Sequence, residues 1–151
     1  MLKHIHPLLF PELLKVLAEM GHGDEIVLAD ANFTAHTLAT RRPVLHWPGV
    51  SMPQACEAVL SVLPLDEAVA QPVAYMQVGG SEPGYRSALQ RQVIDAMAAR
   101  GDARPEQCLA TERFAFYDRA REAFAVVQTG ELQPWANFVL KKGVIARPLE
   151  A

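Results

Sequence analysis

The stretch Gly21-His22-Gly23-Asp24-Glu25-Ile26-Val27-Leu28-Ala29-Asp30 decides the fold class. Ile26 to Ala29 is apolar without alternation and too short for a helix, so it reads as a strand covered on both faces. Such a strand needs helices on either side of its sheet, which implies an α/β architecture. Just upstream, Pro11 suits the first position of a helix, because it has no N–H to leave unsatisfied there. Leu13, Leu14, Leu17 and Met20 then fall on one helical face. Gly21 or Gly23 is expected to stop that helix in a left-handed conformation.

Downstream, short apolar runs alternate with helical segments. A second strand is predicted around Val44-Leu45-His46. Ser51-Met52-Pro53-Gln54 has the spacing of a capping box and opens a helix through Ala55, Val59, Val62 and Leu63. Residues 73–78 read as a strand, and Gly79 to Gly84 as a turn-rich loop. Tyr85, Leu89, Val93 and Met97 recur at every fourth position and mark a helix ending near Gly101. Cys108-Leu109-Ala110 is a short strand, Arg113 to Ala123 is helical, and strands follow at Phe124–Gln128 and Phe138–Leu140. Crossover helices predict a largely parallel sheet, with a hairpin open to the last two strands. A chain of 151 residues is expected to form one domain over 1–151.

Composition narrows the function classes. Lys and Arg number 14 against 17 Asp and Glu, a net charge of −3, which leaves no electrostatic footprint for nucleic acid or an anionic membrane. No apolar run approaches the ~20 residues that span a bilayer, and the first residues have no signal-peptide pattern. The two cysteines, Cys56 and Cys108, cannot build a disulfide framework, which fits a reducing compartment. A cytoplasmic protein is expected. Cys56 reads as inert core. Gly21-His22-Gly23 follows a helix rather than a strand, the wrong setting for a dinucleotide, and no phosphate loop is present. His4 and His6 form an isolated pair without a metal-ligand motif. Neither cofactor nor metal is expected.

Open α/β sheets bind ligands beyond the carboxyl ends of their strands. Asp30 stands at such an end, whereas His22 lies on the loop entering the same strand, roughly 15 Å away along an extended chain. The two can meet only if loops fold back or a second subunit contributes. Plainer readings compete. Asp30 can cap a helix starting at Ala31, His22 can be a turn residue, and Arg113 a solvated helix start. His36 and His46 are as readily structural as functional. Asn137, placed within an apolar strand, needs partners for its amide.

Residues Pro11 to Ile26, with Asp30-Ala31-Asn32-Phe33, resemble the opening of the RbsD/FucU-like family of fucose mutarotases and ribose pyranases. Arg113-Phe114-Ala115-Phe116-Tyr117, Phe124 to Glu131 and Asn137 to Val144 continue the resemblance, while residues 40–105 match weakly. The run from Arg113 to Tyr117 is closer to the fucose branch. The resemblance implies a three-layer α/β/α fold with a mostly parallel central sheet. It also implies a homo-oligomer, as a decamer, with sugar sites near subunit contacts. The implied activity is interconversion of the anomers of L-fucose or a related monosaccharide, without cofactor or metal.

The position matching His22 is the family's proton donor, and those matching Asp30, Arg113 and Trp135-Ala136-Asn137 bind sugar. Tyr117 is a candidate second proton carrier. Members of the fucose branch typically carry Tyr-Gly-Asn where this chain has Trp135-Ala136-Asn137. Trp135 keeps a face for stacking on sugar and has no phenol to relay a proton. That departure opens the alternative of a non-catalytic monosaccharide-binding protein of the same fold.

Overall fold

The computed structural model describes residues 1–149; Glu150 and Ala151, the end of the expected 1–151 domain, lie outside the described residues. Six strands form one sheet: β1 (Glu25–Ala29), β2 (Val44–Trp47), β3 (Val73–Met76), β4 (Cys108–Thr111), β5 (Ala125–Thr129) and β6 (Phe138–Lys141). Five α-helices connect them: α1 (Pro11–Glu19), α2 (Ala35–Leu38), α3 (Met52–Leu60), α4 (Ala88–Arg100) and α5 (Arg113–Glu122). The strand order is β2-β5-β1-β6-β3-β4. β1, β2, β3, β4 and β5 run the same way, and β6 alone runs against its neighbours β1 and β3.

Alternate residues of the central strands face opposite layers. Ile26 and Leu28 of β1 pack with Leu13 and Leu17 of α1, Val59 of α3 and Ile94 of α4. Val27 and Ala29 pack with Ala35 of α2 and Phe116 of α5. The fold is therefore α/β/α, with a mostly parallel sheet covered on both faces.

Several sequence expectations need correction. The last two strands do not form a hairpin, because β6 is separated from β5 by β1. The reason is burial: Phe138, Val139 and Leu140 are fully enclosed, and only the sheet centre covers them on both faces and both edges. Neither Gly21 nor Gly23 ends α1 in a left-handed cap. The cap is Met20, in extended conformation, and the left-handed residue is Gly23, at the turn into β1. Val16, rather than Leu14, completes the fully buried face of α1. Tyr85 is exposed and precedes α4, whose start is fixed by Ser87 and Gln90 in a reciprocal capping box. Asp30 caps no helix; its Oδ1 accepts the N–H of Asn32 at 2.9 Å in a tight turn, and α2 begins five residues later.

Candidate active site

The antiparallel run of β6 is what builds the site. Its amino end, preceded by Trp135, Ala136 and Asn137, arrives at the edge where β1, β3 and β5 deliver their carboxyl ends. Asn137 thus lies just ahead of the strand, not inside it. Its amide oxygen accepts the Asp30 N–H at 2.8 Å, and its Nδ2 donates to Oδ2 of Asp30 at 2.9 Å. Both residues are buried, so this two-point clasp satisfies the amide that the sequence left in question.

Asp30 keeps acceptor capacity on each carboxylate oxygen, because each holds a single protein donor. Its pKa is raised above the ordinary 3.8, chiefly because burial disfavours the charged form; the Asn32 and Asn137 hydrogen bonds act in the other direction. The turn behind it is tied down by Gln128, whose Nε2 donates to the carbonyls of Ala31 and Phe33 at 2.9 Å each.

Opposite the clasp stands the first turn of α5. Glu112 caps this helix, its carboxylate accepting from the N–H groups of Phe114 and Ala115. Arg113 Nε donates to the Tyr117 hydroxyl at 3.0 Å, and its guanidinium lies 5.4 Å from the Tyr117 ring centroid and 6.0 Å from that of Trp135. Asp30, Asn137, Met76, Phe33, Arg113, Tyr117 and Trp135 line a common cavity of about 270 Å³. The cavity thus combines a carboxylate and a guanidinium with aromatic rings and a thioether, a suitable lining for a small molecule carrying both hydroxyls and C–H groups. Ala136 is fully buried, and its side chain is not among the lining groups.

His22 is not at this cavity. It sits at the opposite edge of the sheet, on the loop before β1, so the cavity is lined by five of the seven expected site residues, with Ala136 buried behind it and His22 a strand length away. The loop is closely held. Asp24 accepts the Gly21 N–H at 2.7 Å, Gly23 donates to the Lys142 carbonyl at 2.8 Å, and the Lys142 ammonium donates to the Leu17 carbonyl at 2.8 Å, near the end of α1.

His22 Nε2 lies 3.1 Å from Oδ1 of Asp66. Half of the His22 side chain is exposed, whereas 94% of the Asp66 side chain is enclosed (6% exposed). The hydrogen bond to His22, aided by the Ala68 N–H, lowers the Asp66 pKa below its ordinary 3.8. Sequence reasoning missed Asp66 and weighed only Asp30 as an acid that could meet His22. Asp66 is 44 residues from His22 and reaches it through contacts between the loop at 64–66 and the end of β6. Gly143 permits that approach, since a Cβ there would come within 2.3 Å of the Leu65 carbonyl oxygen.

His36 and His46 stack on one another at the surface, Nε2 to Nε2 3.0 Å, and line no part of the cavity. Cys56 is enclosed, with its thiol pushed up to about 12, and Cys108 is pushed up to about 11, both by burial. Neither is a nucleophile near neutral pH. No helix among the described residues is long and apolar enough to cross a membrane.

The RbsD / FucU transport protein family model matches residues 3–145. The chain is similar to the L-fucose mutarotase of Glaesserella parasuis serovar 5, at 47% identity over 95% of this chain and 96% of that one. It is similar to the fucose mutarotase of Homo sapiens at 45% identity, covering 96% and 95% respectively. Among solved structures, the fucose mutarotase of Streptococcus pneumoniae in complex with L-fucose superposes with a TM-score of 0.85 at 36% identity, over 96% of this chain and 100% of that one.

Proposed function

The chain belongs to the RbsD/FucU family, and on that premise we propose that it is a monosaccharide mutarotase that interconverts the anomers of L-fucose or a closely related sugar. The observation that carries the reading is the cavity at the carboxyl edge of the sheet. There Asp30, Arg113, an indole and a phenol line one space, in a chain 47% identical to an L-fucose mutarotase.

Mutarotation opens the cyclic hemiacetal and closes it on the other carbonyl face. A base removes the proton of the anomeric hydroxyl while an acid delivers one to the ring oxygen; the C1–O5 bond breaks and the aldehyde forms. Rotation about C1–C2 and the reverse transfers complete the cycle. A positioned acid and base contribute about 10²–10⁴ in rate, and the ordinary imidazole pKa of about 6.5 suits a group that must both give and take the proton.

We assign the proton donor to His22 and the sugar-gripping groups to Asp30, Arg113, Trp135 and the Asn137 segment, with Tyr117 as a second proton carrier. Asp30 accepts sugar hydroxyls. Its raised pKa brings the carboxyl towards the range where it can serve as the partner base. Arg113 donates to hydroxyl oxygens while keeping its charge. Any contact of Ala136 with sugar runs through its backbone. Asn137 acts chiefly through Asp30, since both ends of its amide already serve the clasp.

His22 reaches the sugar from a second copy of the chain, because β1 holds it at the far edge of its own sheet. The active form is therefore a homo-oligomer, as a ring-shaped decamer acting in the cytoplasm, and all of residues 1–151 make one domain. Asp66 holds the His22 ring. With Nε2 donating to the carboxylate, Nδ1 is the nitrogen that carries the proton His22 gives to the sugar and takes back.

Saturation-transfer NMR on L-fucose tests the activity. Exchange between anomers well above that in buffer is expected. Sugar affinity with exchange no faster than buffer would establish the alternative, a non-catalytic monosaccharide-binding protein. Absence of both contradicts the proposal.

A further inference from the structure

We infer that Gly79 is a specificity-determining position of the sugar site, acting through Trp135; the inference rests on the sugar-binding reading above. Gly79 does not line the sugar cavity. It lines a smaller one of about 190 Å³ next to it, with Gln77, Val78 and Gly80, and the two cavities share Arg113. The Trp135 indole stands between them. A Cβ on Gly79 would lie 2.8 Å from both Cη2 and Cζ2 of that ring, closer than carbon atoms approach. Gly79 has ordinary backbone angles, unlike Gly80 at φ +73°, so its freedom from a side chain serves the indole and not the turn.

The indole cannot retreat by a shift of its own backbone. Trp135 sits at φ +67°, a left-handed conformation that bulky residues rarely adopt and that persists only where surrounding structure enforces it. The enforcing group is Gln90, fully buried at the start of α4. Its Nε2 donates to the Trp135 carbonyl at 3.0 Å and to the Met76 carbonyl at 2.8 Å, and its Oε1 accepts the Ser87 N–H at 2.9 Å. Gln133 Nε2 donates to Ser87 Oγ at 2.9 Å and ties the same loop a second time. Main chain and ring are thus fixed independently, the first by Gln90 and the second by the bare face of Gly79.

The wall formed by the indole sets how wide a sugar the cavity takes. A side chain at position 79 turns the ring towards the cavity, since the backbone does not yield. The narrowed site loses a six-carbon sugar such as L-fucose before it loses a pentose such as D-ribose, which has no carbon beyond C5 in its pyranose ring. Gly79 and Gln90 are positioning residues in this scheme and touch no sugar themselves.

The test is a double-mutant cycle between Gly79→Ala and Trp135→Phe, read as the ratio of L-fucose to D-ribose affinity from line broadening and shift titrations in NMR, with anomer exchange as a second readout. The phenyl ring of Trp135→Phe lacks the two atoms that meet position 79. Gly79→Ala alone is expected to lower the ratio at least fivefold, with cooperative unfolding retained. In the Trp135→Phe background the same substitution is expected to change the ratio less than twofold. Equal effects in the two backgrounds, or no effect in either, overturn the inference. Affinity is read directly, so a wild-type protein that binds sugar without accelerating exchange defeats the mutarotase reading and leaves this test intact. A wild type that binds neither sugar defeats both.

Discussion

The two edges of the sheet each bury a carboxylate, and treat it in opposite ways. Asp30, at the carboxyl edge, is shut away among apolar walls and its pKa rises through desolvation. Asp66, at the amino edge, gains the His22 hydrogen bond and its pKa falls. The first turns acceptor capacity into the sugar cavity, whereas the second holds the His22 ring and the Ala68 N–H on its Oδ1. Burial alone therefore does not separate a ligand-binding acid from an orienting one; the partners do.

His22→Ala removes the imidazole that Asp66 holds at the amino edge. At least a tenfold fall in anomer exchange is expected, within the range that a positioned acid supplies. Unchanged melting would show that the assembly is intact. Exchange equal to wild type would take His22 out of the mechanism.

Asp30→Asn strikes the carboxyl edge. The new amide cannot accept from both the Asn32 N–H and Asn137 Nδ2 as the carboxylate does, and the mismatch is expected to cost about 1–3 kcal/mol of stability. Sugar affinity is expected to fall at least tenfold. Chemical denaturation and NMR titration read the two separately. A variant as stable as wild type would contradict the clasp.

Asp66→Asn tests the orienting role, with a several-fold loss of exchange and little change in sugar affinity. The pH dependence has a defined sign. A carboxyl whose folded pKa is depressed adds stability that is present above its unfolded value of 3.8 and is lost as pH falls through the folded value. The stability difference between wild type and Asp66→Asn should therefore shrink on acidification below about pH 4. Asp30 has the reverse sign. Its raised pKa favours the folded state below 3.8, and that contribution is lost as pH rises through its folded value.

Gly143→Ala has the smallest effect on sugar affinity. Its Cβ meets the Leu65 carbonyl, so the loop that carries Asp66 must shift. A loss of about 1–3 kcal/mol is expected, typical of overpacking, with sugar affinity retained. A loss of affinity equal to that of Asp30→Asn would mean that the two edges are not separate.

Much of the carboxyl edge was legible in the sequence. An acid directly after Ile26–Ala29 marks the end of a buried strand, and Asn137 beside an apolar run marks an amide that needs partners. The partnership between them was not legible, since it depends on β6 inserting antiparallel beside β1, and an apolar strand carries no signal of its neighbours. Asp66 was hidden for a similar reason. It lies in a segment without periodicity, and its meeting with His22 is arranged by Lys142 and Gly143 at the far end of β6. Gly79 looked like one more turn glycine, and only the position of the indole shows what it is for.

The central claim is that one sugar site draws Asp30 from one chain and His22 from another. It is tested most directly by co-expressing differently tagged His22→Ala and Asp30→Ala chains and purifying the mixed assemblies. Each variant alone should keep no more than about a tenth of the wild-type exchange. If the site is shared, random mixing restores about a quarter of the sites, because a site is intact when its two contributing chains are of opposite kinds in one order. Recovery of anomer exchange to that level is the expected result. Mixed assemblies no more active than the separate variants would contradict the account.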